Sequence, residues 1–250
     1  MIGSRWLSNS RTTSYMAAVL AVINLLLVNL GGMMAAPATR AWAENPVTPP
    51  APIRMVALGD SLTAGYMLPP AEAFPAQLAA ALMVRGHTVE IINAGVSGDT
   101  TSDGLARFEW SVPEGTEAVI LELGANDALR GINPATARKN LDALLAKLKA
   151  RNIDVLLAGI TAPQNWGTEY AVAFNTIHKD LSEKYGTLLY PFFLDGVALK
   201  PELSLSDGLH PSGKGVAVIV ERIRPMAEEL LARVKARRAS MAKNEVGSKN

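Results

Sequence analysis

Five short apolar runs, separated by stretches of helical period, constrain this chain more than any other feature. The runs are Arg54–Leu58, Thr88–Asn93, Ala118–Leu123, Val155–Ile160 and, with less contrast, Thr187–Phe192. They are nearly continuously apolar, as parallel strands covered on both faces are. Between them, Phe74, Leu78, Ala81 and Leu82 share one helical face, Leu141, Leu144, Leu145 and Leu148 another, and Tyr170, Phe174, Ile177 and Leu181 a third. Asn133 followed by Pro134 reads as an N-cap and first helical position. A last helical segment begins near Ser212, and Pro225 within it is expected to end or kink it. This alternation predicts an α/β fold with one parallel sheet and helices on both faces. With 250 residues, 49 % apolar and 19 % charged, the chain can bury a large core in one domain.

The N-terminal stretch stands apart from that domain. Arg5 and Arg11 precede an apolar run from Met16 to Ala36, and Ala41-Trp42-Ala43 supplies the small-x-small pattern that a signal peptidase reads. Residues 1–43 are therefore expected to be an export signal, which places the protein in the periplasm or outside the cell. An uncleaved inner-membrane anchor is the alternative, because the run approaches the roughly 20 residues that span a bilayer. Its loss would take three of the 24 basic residues and none of the 23 acidic ones, leaving a net charge of −2. Four prolines between Pro46 and Pro52 make residues 44–53 a tether. The folded domain is then 54–236, followed by a flexible basic tail, 237–250. The absence of cysteine excludes disulfides, thiolate nucleophiles and cysteine metal sites. A formal charge of +1 lacks the basic footprint of a nucleic-acid binder.

In parallel α/β sheets, ligands bind outside the carboxyl ends of the strands. The residues there are polar in this chain: Gly59-Asp60-Ser61-Leu62 after the first run, Gly95 to Thr100 after the second, and Gly124-Ala125-Asn126-Asp127 after the third. Asp207-Gly208-Leu209-His210-Pro211 precedes the last helix. A serine hydroxyl needs a base to take its proton, and imidazole is the usual one. A carboxylate on the far ring nitrogen then fixes the tautomer. Asp207, three residues before His210 in a glycine-containing turn, can fold back onto that ring. His178 falls among apolar helix positions and reads as a half-buried structural residue; His87 lies at the amino end of a strand, opposite the proposed site. Donors for an oxyanion are available from the Ser61 N–H, a glycine N–H in the loop after the second strand, and the Asn126 amide.

Other readings stay open on the same residues. The glycine loop can cradle a phosphate, and Asp60, Asp99, Asp103 and Asp127 can suggest a hard cation site, although aspartates at loops more often cap and turn the chain. Thr63 stands where a Gly-x-Ser-x-Gly elbow needs glycine, which argues against a standard α/β-hydrolase.

Taken in order, four blocks resemble the SGNH (GDSL) hydrolase family over roughly Arg54 to Val234. They are Gly-Asp-Ser-Leu-Thr-Ala-Gly-Tyr (59–66), Asn-Ala-Gly-Val-Ser-Gly-Asp-Thr (93–100), Glu-Leu-Gly-Ala-Asn-Asp-Ala-Leu-Arg-Gly (122–131) and Asp-Gly-Leu-His-Pro (207–211). Within the family the chain looks most similar to the bacterial branch of multifunctional acyl-CoA thioesterase I, protease I and lysophospholipase L1 enzymes, also called arylesterases. The resemblance implies a flavodoxin-like three-layer α/β/α sandwich with a five-stranded sheet in the order 2-1-3-4-5. It also implies a nucleophile at Ser61, a base at His210, an orienting carboxylate at Asp207, and oxyanion donors from Ser61, Gly98 and Asn126. Ala125 departs from the second glycine this branch often has before the asparagine. The segment from Thr161 to Gly167 resembles a loop that closes over the acyl chain, so Pro163, Trp166 and Tyr170 are expected to line a substrate groove.

The expected activity is therefore that of an exported serine esterase acting through an acyl-enzyme on lysophospholipids or short-to-medium acyl or aryl esters, with thioesters as a further capability. No cofactor, metal, nucleic acid or obligate protein partner is expected, and contact with membrane lipids would be transient. A carbohydrate O-acetylesterase is the rival enzyme, and a non-catalytic acyl- or phosphate-binding protein the rival outside the enzymes.

Overall fold

The computed structural model describes residues 51–247. The readings of residues 1–43 and 44–50 lie outside the described residues. Five strands are present: β1 (Ile53–Gly59), β2 (Val89–Gly95), β3 (Ala118–Glu122), β4 (Asp154–Ala158) and β5 (Leu188–Tyr190). They form one parallel sheet in the order β2-β1-β3-β4-β5. Interleaved with them are α1 (Ser61–Ala64), α2 (Phe74–Val84), α3 (Thr101–Ala106), α4 (Phe108–Ser111), α5 (Ala125–Leu129) and α6 (Pro134–Ala150). Three helices follow: α7 (Thr168–Asn175), α8 (Ile177–Tyr185) and α9 (Gly213–Gly247). One layer is built from α2 and α9, packed on each other and on the sheet; the other is built around α6 with α3 and α8 against it. The result is the three-layer sandwich the alternating pattern and the resemblance imply.

The central strands bury both faces. Met55, Val56, Leu58, Ile120, Leu121, Leu156 and Leu157 are all buried, and full burial of such a side chain contributes roughly 1.5–3 kcal/mol. β2 differs from the expectation of continuous burial. Among the described residues it is an edge strand, and only Val89 of its seven residues is buried. β1 begins one residue earlier than expected, with the Ile53 N–H donating to the Thr88 carbonyl at 3.0 Å, so the last residue of the supposed tether belongs to the sheet.

The last helix corrects one expectation. Pro225 neither ends nor breaks α9, which runs from Gly213 to Gly247. An interior proline costs about 3 kcal/mol. Seven buried aliphatic side chains on this helix (Val216, Ile219, Val220, Ile223, Leu230, Leu231 and Val234) outweigh it. Past Ala236 the helix continues to Gly247. Arg237 Nε lies 3.0 Å from Asp154 Oδ2, and Arg238 pairs with Glu117 while donating to the Ala51 carbonyl at 2.8 Å. Among the described residues no helix is long and apolar enough to cross a membrane.

Candidate active site

The parallel register sets Gly59, Gly95 and Glu122 at one level, so the loops after β1, β2 and β3 leave the sheet side by side. After β1 the chain turns at once into α1. Asp60 caps that helix, its Oδ1 accepting the Leu62 N–H at 2.9 Å, and Gly65 closes it in the left-handed region at φ 80°. Ser61 is thus the first helical residue, where a backbone N–H has no partner within the helix. The end of β2 presses against this turn: a Cβ on Gly95 would lie 2.3 Å from the Ala64 nitrogen, so only glycine fits.

The second part comes from the loop before α9. The Leu205 N–H donates to the His210 carbonyl at 2.8 Å and the Ser212 N–H to the Leu203 carbonyl at 2.8 Å, which pins the two sides of the loop together. Asp207 Oδ1 accepts the N–H groups of Leu209 and His210 at 2.9 and 3.0 Å. Its Oδ2 lies 2.7 Å from His210 Nδ1. These backbone donors, joined by the imidazole, hold the Asp207 carboxyl down at about 2, so it is ionised at neutral pH. His210 Nε2 lies 2.9 Å from Ser61 Oγ, across 149 residues of sequence. Serine, imidazole and carboxylate therefore form one continuous hydrogen-bonded chain, with the Tyr66 ring packed 4.4 Å from the imidazole.

The other expected residues divide. Asn126 stands at the start of α5 and donates through Nδ2 to the Asp99 carbonyl at 2.9 Å and to Asp60 Oδ2 at 3.2 Å. Gly98 occupies a φ of 88°, and its carbonyl accepts from Arg130 at 2.9 Å. It does not line the cavity. That cavity, of about 320 Å³, is lined by Ser61, Asn126 and His210 together with Leu129, Ile160, Pro163, Phe192, Leu194 and Leu209. Ala125 also lines it.

Of the three residues expected in a substrate groove, only Pro163 is on the wall. Trp166 Nε1 donates to the Ala128 carbonyl at 2.9 Å, and its ring covers Gly131 so closely that a Cβ there would meet it at 2.9 Å. The Tyr170 hydroxyl donates to the Ile132 carbonyl at 2.9 Å, and its ring stacks on Phe174. Both aromatics staple their loop to the segment after α5; indole and phenol find polar partners there that an acyl groove does not offer.

The competing readings meet occupied groups. Asp60 caps α1, Asp99 pairs with Arg107, Asp103 forms a capping box with Thr100, and Asp127 accepts the backbone and hydroxyl of Thr101. Among the described residues no group of three or more acids and histidines is placed to hold a metal. The same carboxylates take the N–H groups at the start of α3, which a phosphate would need. His178 is fully buried rather than half-buried. Its Nε2 faces the Leu123 carbonyl at 3.3 Å, and burial pushes it down to about 4, which keeps it neutral. His87 lies near Lys235 and Glu228, away from the cavity.

Sequence reasoning missed a buried polar layer beneath the site. Glu122 is fully buried; its Oε2 accepts the Thr63 hydroxyl at 2.8 Å and the Asp60 N–H at 3.4 Å. Burial, and then the neighbouring Asp60 charge, push Glu122 well above the usual carboxylate range. Burial also raises Asp60 to about 6 against the Leu62 N–H, His210 and Asn126. Arg107 is buried beside them. An acid inside an apolar strand-end and an arginine following a glycine-containing helix were the available signals, but neither names its partners.

Residues 57–218 match the model of the GDSL-like lipase/acylhydrolase family. An arylesterase of Vibrio mimicus is 39 % identical over 179 residues, 71 % of this chain and 88 % of the relative. The thioesterase 1/protease 1/lysophospholipase L1 of Escherichia coli is 38 % identical over 159 residues, 63 % of this chain and 75 % of the relative. Among solved structures, the SGNH-hydrolase family esterase AlinE4 superposes with a TM-score of 0.61 at 44 % identity, over 72 % of this chain and 97 % of its own.

Proposed function

The chain belongs to the GDSL-like lipase/acylhydrolase family and is an ester hydrolase; on that premise we propose that it works through an acyl-enzyme on Ser61. The observation that carries the reading is the 2.9 Å and 2.7 Å chain from Ser61 Oγ through His210 to Asp207, with Ser61 and His210 lining a largely apolar cavity. His210 Nε2 takes the hydroxyl proton as Oγ attacks the acyl carbon. Ionised Asp207 holds the Nδ1–H tautomer and stabilises the imidazolium. The Ser61 and Gly98 N–H groups and Asn126 Nδ2 receive the oxyanion; Asn126 releases its longer bond, the 3.2 Å one to Asp60, to do so. His210 returns the proton to the leaving alcohol or thiol, and water then attacks the acyl-enzyme by the same route.

The wall of Ile160, Pro163, Phe192 and Leu194 supports an acyl or aryl group on the substrate rather than a sugar. Short-to-medium acyl esters, aryl esters and lysophospholipids share that requirement. The names of the relatives, an arylesterase and a thioesterase/lysophospholipase, favour the same range. Export through residues 1–43 makes lysophospholipids and small esters the substrates of the reading, and acyl-CoA, a cytosolic metabolite, a capability rather than the task.

A panel of p-nitrophenyl esters from acetate to palmitate, with acetylated xylan and a lysophospholipid, tests the reading. Turnover of the p-nitrophenyl esters and the lysophospholipid, abolished by Ser61→Ala, is the expected result. Activity confined to the xylan would replace it with the carbohydrate esterase, and full activity in Ser61→Ala would remove it.

A further inference from the structure

We propose that Arg107 is a positioning residue for the oxyanion donors, holding the loops after β1 and β2 with one buried guanidinium. The inference rests on the esterase reading of Ser61 and Asn126. Arg107 joins α3 to α4 and its side chain is 7 % exposed. Nε donates to Asp99 Oδ2 at 2.5 Å, one terminal nitrogen to the Ala94 carbonyl at 2.8 Å and Ser111 Oγ at 2.9 Å, and the other to the Gly59 carbonyl at 2.8 Å.

Two of these bonds, to Gly59 and to Asp99, land next to proposed donors. The Gly59 carbonyl belongs to the peptide whose N–H is that of Asp60, and that N–H is taken by Glu122. Arg107 and Glu122 therefore fix one peptide plane at both ends, and the next N–H in the chain is that of Ser61. Asp99 follows Gly98 directly, so the Nε bond holds the loop that presents the Gly98 N–H. The Asp99 carbonyl accepts from Asn126 Nδ2, which extends the same support to the third donor. Ala94 anchors the guanidinium to β2 itself.

A buried ion pair adds little net stability, because desolvation offsets its attraction. A planar fork of five donors, however, can hold four main-chain and side-chain acceptors in fixed relation, and an ammonium cannot. Oxyanion donors act only when pre-set for the transition state. A residue that pre-sets them should alter kcat and leave substrate binding alone.

The test is a double-mutant cycle on p-nitrophenyl butyrate with Arg107→Lys and Asn126→Ala. Arg107→Lys alone should lower kcat by about ten- to a hundredfold with KM within about twofold. In the Asn126→Ala background it should cost less than about threefold, since the donor it serves is already gone. Ser111→Ala, which removes only the partner outside the loops, should leave kcat within about twofold. Equal costs in both backgrounds, a raised KM with kcat held, or an Arg107→Lys enzyme as active as the parent would overturn the proposal. So would a Ser111→Ala loss as large as that of Arg107→Lys, which would mean general loosening. Should Arg107→Lys melt below the assay temperature, Asp99→Asn, of the same shape, is read by the same criteria. A parent without turnover removes this inference together with the reading beneath it; an active parent with a fully active Arg107→Lys removes this inference alone.

Discussion

The two edges of the sheet use charge in opposite ways. At the carboxyl edge Asp60, Asp99, Arg107, Glu122 and Asp127 are all buried, and their partners are the loops that carry Ser61, Gly98 and Asn126. At the amino edge Arg237 and Arg238 bind Asp154 and Glu117 in half-open pairs that tie the end of α9 to the sheet. Partly exposed pairs contribute at most about 1 kcal/mol and are screened by salt. Buried charges cost several kcal/mol to desolvate. The polar groups buried around Ser61 hold geometry there at the expense of stability; at the other edge the pairs hold α9 to the sheet.

Substitutions at the two edges should therefore separate activity from stability. The largest effect is expected from Asp207→Asn, which leaves the imidazole without its tautomer control: kcat should fall by up to roughly 10⁴ while the melting temperature barely moves. Asn126→Ala should cost about 10²–10³ in kcat at similar KM. A comparable loss of stability in either variant would blur the distinction between the edges.

Glu122→Gln sharpens it from the stability side. Glu122 titrates above the ordinary glutamate value of 4.5 in the folded state. Below that value both states are protonated and the group contributes nothing. As pH rises the unfolded chain releases a proton that the folded one keeps, so stability falls until the folded group also ionises. The loss of melting temperature between pH 5 and 8 should be smaller in Glu122→Gln than in the parent; parallel melting curves would show that the buried acid costs nothing. The smallest effect belongs to the amino edge. Arg238→Ala should lower the melting temperature by about 2–4 °C and leave kcat within about twofold. A large drop in kcat there would break the comparison.

What the sequence disclosed follows the same division. Strand positions and helix faces were legible because period and apolar runs are local. Asp207 and His210 were legible as a pair because three residues and a turn bring them together, and Ser61 and Asn126 because both follow strands at the ligand-binding edge. Long-range acceptors were not. The path of α9 through Pro225 depends on the sheet beneath it, and the order of its last turns on acids 83 and 121 residues away. The anchoring of Trp166 and Tyr170 was hidden as well, since it rests on where the fold puts the Ala128 and Ile132 carbonyls. Arg107 and Glu122 carry no spacing signal, since most of their partners lie on other loops and include main-chain groups.

The covalent step on Ser61 can be read by intact mass after exposing the folded protein to a fluorophosphonate at neutral pH. A single adduct is expected, on Ser61, formed slowly in Asp207→Asn and absent from Ser61→Ala. An adduct on another residue, or an unmodified protein that still hydrolyses p-nitrophenyl butyrate in the presence of the reagent, would contradict a covalent step on Ser61.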